Sequence, residues 1–443
     1  MTEAATASSA IYQRFLSLHP RAIDLSLERM EALLAKLGHP ERKLPPVIHV
    51  AGTNGKGSTT AFMRAILEAW GKSAHVYTSP HLVRFHERFR LGKAGGGKLV
   101  SEAELVDAFE RCERANAGAA ITVFEITTAA GLLLFSQHPA DMLLLEVGLG
   151  GIYDATNVVD RPAASVITPV SFDHVEFLGD TIAKIAGEKA GILKPGCPGI
   201  IAQQLPEGLE RIELEAAKRR APLTIAGQDF SAHEENGRLV YQDGLGLLDL
   251  PLPRLPGRHQ HGNASVAIAA LRQVFGHDLP AAAIEAGLRN AEWPARMQRI
   301  TSGALVEASP KGAELWLDGG HNADGGKVVA EALAEFEDRR PRPLVMIAGM
   351  LNSKDSAAFF APFAGLAREV ITLTIPGTDA SRPAEDTAAF ARKAGLGAQP
   401  AESLKAALET IAARSYETAP RILFTGSLYF AGHVLKENGT LPE

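Results

Sequence analysis

The feature that most constrains this chain is a glycine-rich run, Gly52-Thr53-Asn54-Gly55-Lys56-Gly57-Ser58-Thr59. It lies between the apolar segment 47–50 and a stretch with Phe62, Ala65, Ile66, Ala69 and Trp70 at helical spacing. Strand, glycine turn and helix in that order predict an αβ unit whose helix begins at the turn. Backbone N–H groups of such a turn converge on an anion, the helix end adds partial positive charge, and Lys56 can reach the outer phosphates. Val50 and Gly57 stand where the G-x-x-x-x-G-K-[ST] pattern requires glycine and a hydroxyl residue, so ordinary P-loop switches and motors fit poorly.

Further apolar runs of strand length at 74–77, 142–147, 163–168 and 199–202 alternate with helical patterns such as 102–115, which predicts a parallel sheet with helices on both faces. Residues 223–256 change to short β-like pieces and read as a small β insertion, while Gly95-Gly96-Gly97 reads as a loop. A helical pair at 263–275 and 281–290 leads to Trp293-Pro294, the boundary candidate. A second αβ set follows at 314–317, 327–336, 344–348, 370–375 and 422–424. A chain of 443 residues exceeds what one core usually organises. The expectation is an α/β protein with a large N-terminal P-loop-type parallel-sheet domain, residues 1–294, and a smaller C-terminal Rossmann-like αβ domain, residues 295–443.

Charge and cysteine usage exclude several classes. The net charge of −6 arises from 51 acidic and 45 basic residues without a long run of either sign, which argues against nucleic acid as a partner. Cys112 and Cys197 form no metal-binding or disulfide pattern and fit a reducing compartment. Residues 1–10 lack the basic and apolar regions of a secretory signal, and no apolar stretch is long enough to span a membrane. The expected location is cytoplasmic.

Polar residues recur at the ends of the predicted strands. Glu146 closes an apolar strand ahead of Val147-Gly148-Leu149-Gly150-Gly151, where doubly wound sheets bind ligands; it reads as a magnesium ligand or as a solvated strand-end carboxylate. Asp173-His174 follows the next strand and reads either as a further ligand or as a structural histidine. Lys189, in a helical segment, is by default a surface lysine. In a buried site its amine pKa would fall and CO₂ could convert it to a carbamate, an anionic metal ligand. Asp318-Gly319-Gly320-His321-Asn322 and Lys354-Asp355 end strands of the second set, and suggest a ligand held between the domains or loops that simply face solvent.

Many of these segments together resemble the dihydrofolate synthase/folylpolyglutamate synthase family, related to the Mur ligases. They are Ile23 with Asp24-Leu25-Ser26-Leu27-Glu28-Arg29, the 52–58 loop, Thr78-Ser79-Pro80-His81-Leu82, Phe124-Glu125, the Glu146 and Asp154-Ala155-Thr156-Asn157 segments, Asp173-His174, Glu188-Lys189-Ala190-Gly191-Ile192, Asn263-Ala264, Arg296, Asp318 and His321-Asn322. The resemblance implies an ATP- and Mg²⁺-dependent monomer that joins L-glutamate to dihydropteroate and to reduced folates through an acyl phosphate. It implies that Thr53, Asn54, Gly55, Lys56, Gly57 and Ser58 hold ATP phosphates, with Asn263, Arg296 and Asp318 completing the nucleotide site. Ser79, Glu146 and His174 would ligate Mg²⁺, and Lys189 would be carboxylated. Lys56, His174 and Lys189 would be catalytic. Ile23, Asp24, Leu25, Thr122, Tyr153, Asp154, Ala155 and His321 would bind substrate. Ile152-Tyr153 replaces the usual Arg-Leu, Ala295 the glycine before Arg296, and Ala323 the proline after Asn322. The close rivals are a monofunctional folylpolyglutamate synthase and a cell-wall Mur ligase.

Overall fold

The computed structural model describes residues 7–19, 24 and 26–442. These divide into two compact units, one comprising Met1–Pro80, His86–Arg254 and His261–Ala291, the other His81–Phe85, Leu255–Gln260 and Glu292–Glu443.

In the first unit the described residues form a sheet of eight strands: β1 (Val47–Ala51), β2 (Ala74–Tyr77), β3 (Phe89–Lys93), β4 (Gly96–Leu99), β5 (Met142–Glu146), β6 (Ala164–Ile167), β7 (Gly199–Ile201) and β8 (Leu223–Ile225), in the order β4-β3-β2-β5-β1-β6-β7-β8. From β2 to β8 all neighbours are parallel. Every residue of β1, β2, β5 and β6 is buried, as expected of strands covered on both faces, which explains their unbroken apolar runs. His49 is the polar exception on β1. Its Nε2 lies 2.8 Å from Thr156 Oγ1, and burial drops its pKa to about 3, so the imidazole is neutral.

Two expectations are corrected here. Residues 223–225 are β8, the edge of the main sheet, and only β9 (Ser231–Glu235), β10 (Arg238–Asp243) and β11 (Gly246–Pro251) form the separate antiparallel insertion. Gly96 and Gly97 lie in a strand, because β3 and β4 make an antiparallel edge hairpin in which backbone pairing tolerates missing side chains.

The second unit holds β12 (Gln298–Ile300), β13 (Glu314–Leu317), β14 (Leu344–Ala348), β15 (Ala367–Thr372), β16 (Ala398–Pro400) and β17 (Arg421–Thr425), ordered β12-β13-β17-β14-β15-β16 and parallel except for β12. Strand alternation splits its core in two. Leu315, Leu317, Val345, Ile347, Ile422 and Phe424 face a cluster completed by helix Leu428–Asn438. Leu344, Met346, Ala348 and Leu423 face the one completed by helix Ala323–Arg339. β15 begins three residues before the predicted 370–375 strand. Among the described residues no helix is long and apolar enough to cross a membrane.

At the amino end of β13, the Glu314 carboxylate lies 3.2 Å from both Arg342 Nε and Arg421 Nε, and 3.3 Å from Arg299 Nη1. The side chains of Arg342 and Arg421 are only 8% and 3% exposed, so Glu314 is their counter-charge. Burial alone would raise its pKa, but Arg299, Arg342 and Arg421 together hold it below the ordinary value. The stabilisation is therefore present above the usual carboxylate range and lost as pH falls through the lower folded pKa. Glu314→Gln is expected to cost about 3 kcal/mol, at the low end for a broken buried pair because Glu337 still reaches Arg421. Urea unfolding at neutral pH measures this, and an unchanged midpoint would mean that the carbonyls of Gly312 and Ala419, which Arg342 also reaches, suffice.

Candidate active site

Parallel strands bring their carboxyl ends to one edge, and β2, β5, β1 and β6 are neighbours in that order. Tyr77 pairs with Leu145, Val50 with Glu146, and Ala51 with Ile167. With strands about 4.8 Å apart, the four ends span on the order of 15 Å. The residues issuing from them are Ser79 after β2, Glu146 at the end of β5, the 52–55 turn after β1, and Asp173-His174 after β6. Four segments scattered over residues 52–174 thus converge for a topological reason.

The glycine turn is shaped by two close approaches. A Cβ on Gly52 (φ +146°) would sit 1.8 Å from Thr168 Oγ1, and one on Gly55 (φ +90°) 2.4 Å from Asn263 Oδ1. Asn263 therefore backs the turn directly, from the helix His259–Phe275. The N–H groups of Thr53 and Asn54 donate to Pro169 O at 3.0 and 3.3 Å, and Thr53 Oγ1 donates to Ser171 O at 3.1 Å. Thr53 and Asn54 thus fasten the turn to the segment after β6. The N–H groups of Lys56, Gly57 and Ser58 lie ahead of the first helical bond, Thr59 N–H to Gly55 O at 2.9 Å, at the positive end of a 14-residue helix.

Two lysines meet at this turn. Lys56 Nζ donates to Gly52 O at 3.0 Å and to Thr53 O at 3.2 Å, and Lys189 Nζ donates to the same Gly52 O at 3.0 Å. Burial, followed by the Lys56 cation, brings the Lys189 amine down to about 7. Two lysine amines sharing one neutral acceptor, with the charge of one opposing that of the other, form a site that an anion relieves.

Glu146 is 5% exposed. Asp154 is buried, and its carboxylate accepts from Gly148 N, Leu149 N and Thr156 N at 3.1, 2.9 and 3.0 Å. Burial raises its pKa against those hydrogen bonds. Asp154 therefore shapes the 148–154 loop, Ala155 is buried beside it, and Tyr153 presents a ring that is 51% exposed. Ile152, where the family pattern has arginine, donates its N–H to Glu188 O at 3.1 Å and so ties this loop to the helix carrying Lys189. His174 has φ 51°, uncommon for a residue with a Cβ, and its backbone N–H donates to Asp173 Oδ1 at 2.9 Å. Its imidazole is 41% exposed.

Among the described residues no group of three or more His, Cys, Asp and Glu gathers to hold a metal ion. One buried carboxylate and a hydroxyl nevertheless suit Mg²⁺, which retains waters and binds substrate phosphates.

Asp24 and Thr122 are joined through side chains that sequence reasoning assigned no role. Arg29 Nη1 donates to Asp24 Oδ2 at 3.0 Å and Arg29 Nε to Glu125 Oε2 at 3.1 Å, while Thr122 N donates to Glu125 Oε2 at 2.7 Å. The Thr122-x-x-Glu125 capping box was the available signal. Ile23 and Leu25 lie outside the described residues.

In the second unit, Asp318 follows β13. Its Oδ2 accepts from Met297 N at 2.8 Å and its Oδ1 from Gly320 N at 2.7 Å. Burial raises its pKa, opposed by Arg296. Arg296 sits between Ala295 (φ 55°) and Met297 (φ 41°), so the turn presenting it is strained, and the usual glycine at 295 has a conformational reason. His321 Nδ1 lies 2.9 Å from Gly319 O, and Asn322 Oδ1 caps the next helix through Gly325 N at 2.8 Å.

Residues 50–271 match the Mur ligase middle domain, and residues 295–428 match the Mur ligase glutamate ligase domain. The chain is 33% identical to a dihydrofolate synthase/folylpolyglutamate synthase of Bacillus subtilis, over 93% of this chain and 94% of that one. Identity to the protein of the same name in Escherichia coli is 36%, over 78% and 76% of the two chains. Among solved structures, E. coli FolC in complex with DHPP and ADP superposes with a TM-score of 0.85 at 30% identity, covering 98% of each chain. The Yersinia pestis bifunctional folylpolyglutamate synthase/dihydrofolate synthase with AMPPNP and Mn ion gives 0.84 at 30% identity, covering 98% of this chain and 99% of that one.

Proposed function

The chain belongs to the dihydrofolate synthase/folylpolyglutamate synthase family of the Mur ligases and is an ATP-dependent ligase, and from that premise we propose that it joins L-glutamate to dihydropteroate and to reduced folates. The observation that carries this reading is the pair of lysines on Gly52 O, at the mouth of a glycine turn where four parallel strands end.

A carboxylate is a poor electrophile, so its oxygen first attacks the γ-phosphorus of ATP, giving an acyl phosphate and releasing ADP. The glutamate amine then attacks the acyl carbon, the C–O bond to phosphate breaks, and the amine loses a proton. Lys56 and the N–H groups of Gly55, Lys56, Gly57 and Ser58 hold the phosphates, while Thr53, Asn54 and Asn263 keep the turn in shape. By the family resemblance, Arg296 and Asp318 serve the nucleotide and His321 the incoming substrate. Ser79, Glu146, His174 and a carboxylated Lys189 hold divalent metal, which neutralises charge on the transferring phosphoryl group. Asp24, Thr122, Tyr153, Asp154 and Ala155, with Ile23 and Leu25, position the pteridine-bearing substrate. The same reading makes the protein a cytoplasmic monomer.

The test is phosphate release with ATP, Mg²⁺ and glutamate, comparing dihydropteroate with tetrahydrofolate and weighing each product by mass spectrometry. Turnover with both is expected. Turnover with tetrahydrofolate alone would leave a monofunctional folylpolyglutamate synthase, and turnover with neither would remove the folate assignment.

A further inference from the structure

We propose that Arg29 is a positioning residue for the pteridine-bearing substrate, holding the segments of Asp24 and Thr122 in one fixed arrangement; this rests on the folate-ligase reading above. Asp24 and Thr122 belong to stretches separated by nearly a hundred residues, and one guanidinium joins them. Arg29 Nη2 donates to Asp24 O at 2.6 Å and Nη1 to Asp24 Oδ2 at 3.0 Å, while Nε donates to Glu125 Oε2 at 3.1 Å and Nη2 lies 3.0 Å from Glu125 Oε1. His19 Nε2 adds a second hold on Asp24, 3.3 Å from Oδ2. Glu125 in turn accepts Thr122 N–H at 2.7 Å, and Thr122 Oγ1 accepts Glu125 N–H at 3.2 Å.

The charge on Glu125 is the informative detail. Its side chain is only 5% exposed, and a capping box needs an acceptor there, which glutamine supplies as well as glutamate. Capping therefore does not account for a buried negative charge, whereas a tether to Arg29 does. A guanidinium suits this tether because its planar fork addresses two carboxylates and a carbonyl at once; an ammonium is a single point charge.

Steady-state kinetics of Arg29→Met, Arg29→Lys and Glu125→Gln test this. The KM for dihydropteroate and tetrahydrofolate is expected to rise about tenfold or more in Arg29→Met and Glu125→Gln, with kcat and the KM for ATP and glutamate held within about threefold. Arg29→Lys should recover part of the loss. Glu125→Gln keeps the helix cap, so it carries the test if Arg29→Met does not fold. Unchanged KM for the pteridine substrates, or a uniform rise for all three substrates, would overturn the positioning role while wild-type turnover still upheld the ligase reading. A wild type that turned over neither pteridine carboxylate would overturn both.

Discussion

Lys56→Ala is expected to lower ligation by about 10³-fold or more, with no loss of folded structure. Among the described residues the ammonium bonds only to two carbonyls of its own turn, Gly52 O and Thr53 O. Removing it breaks no buried ion pair and relieves repulsion with Lys189, so stability should shift by no more than about 0.5 kcal/mol. In the proposed role, the charge that Lys56 brings to a transferring phosphoryl group has no substitute on the turn, because Lys189 is buried and near its own neutral point. Phosphate release, product mass and a thermal melt measured together decide the matter. Near-normal ligation by a folded variant would remove Lys56 from the phosphate role.

The second large effect concerns Lys189. Carbamate formation takes a neutral amine and CO₂, forms the N–C bond and releases one proton. An ordinary lysine is almost entirely protonated at neutral pH, whereas Lys189, brought down to about 7 by burial and the Lys56 cation, is about half neutral there. The neutral fraction grows as pH rises through 7, so activity that depends on the carbamate is lost as pH falls below that value. Wild-type turnover should therefore drop in buffer stripped of CO₂ and return on addition of bicarbonate. Lys189→Arg, always protonated, should be about 10²-fold slower or worse and indifferent to bicarbonate. Labelled bicarbonate gives an independent readout, since a carbamate carbon should appear in wild type and be absent from Lys189→Arg. Bicarbonate-independent wild-type turnover would sink the carboxylation, although Lys189 could still bind phosphate as a cation.

Legibility followed the range of the forces involved. The strands at 47–51 and 142–146, the turn between 52 and 55 and the helix after it were readable, because apolar runs, glycine φ freedom and helical spacing are carried by adjacent residues. The edge hairpin β3–β4 was not, since its glycines carry no side-chain pattern and only pairing against β2 makes them a strand. Ala295 is similar: its identity says nothing of the left-handed turn that Gln298 Oε1 and Asp318 hold from outside it.

What adjacent residues carry, then, is a strand–turn–helix unit of the shape that suits a phosphate, within an α/β frame whose polar residues close its strands. The tertiary structure decided which of those residues act together. Lys189 reads as a surface lysine until a carbonyl 137 residues away is placed 3.0 Å from its amine, and nothing in the segment of Arg29 and Asp24 points to Glu125, 96 residues on, as the other end of the tether. Periodicity and backbone preference act between neighbours in the chain. Burial, charge pairing and the pKa shifts that follow depend on neighbours in space, which only the completed fold supplies.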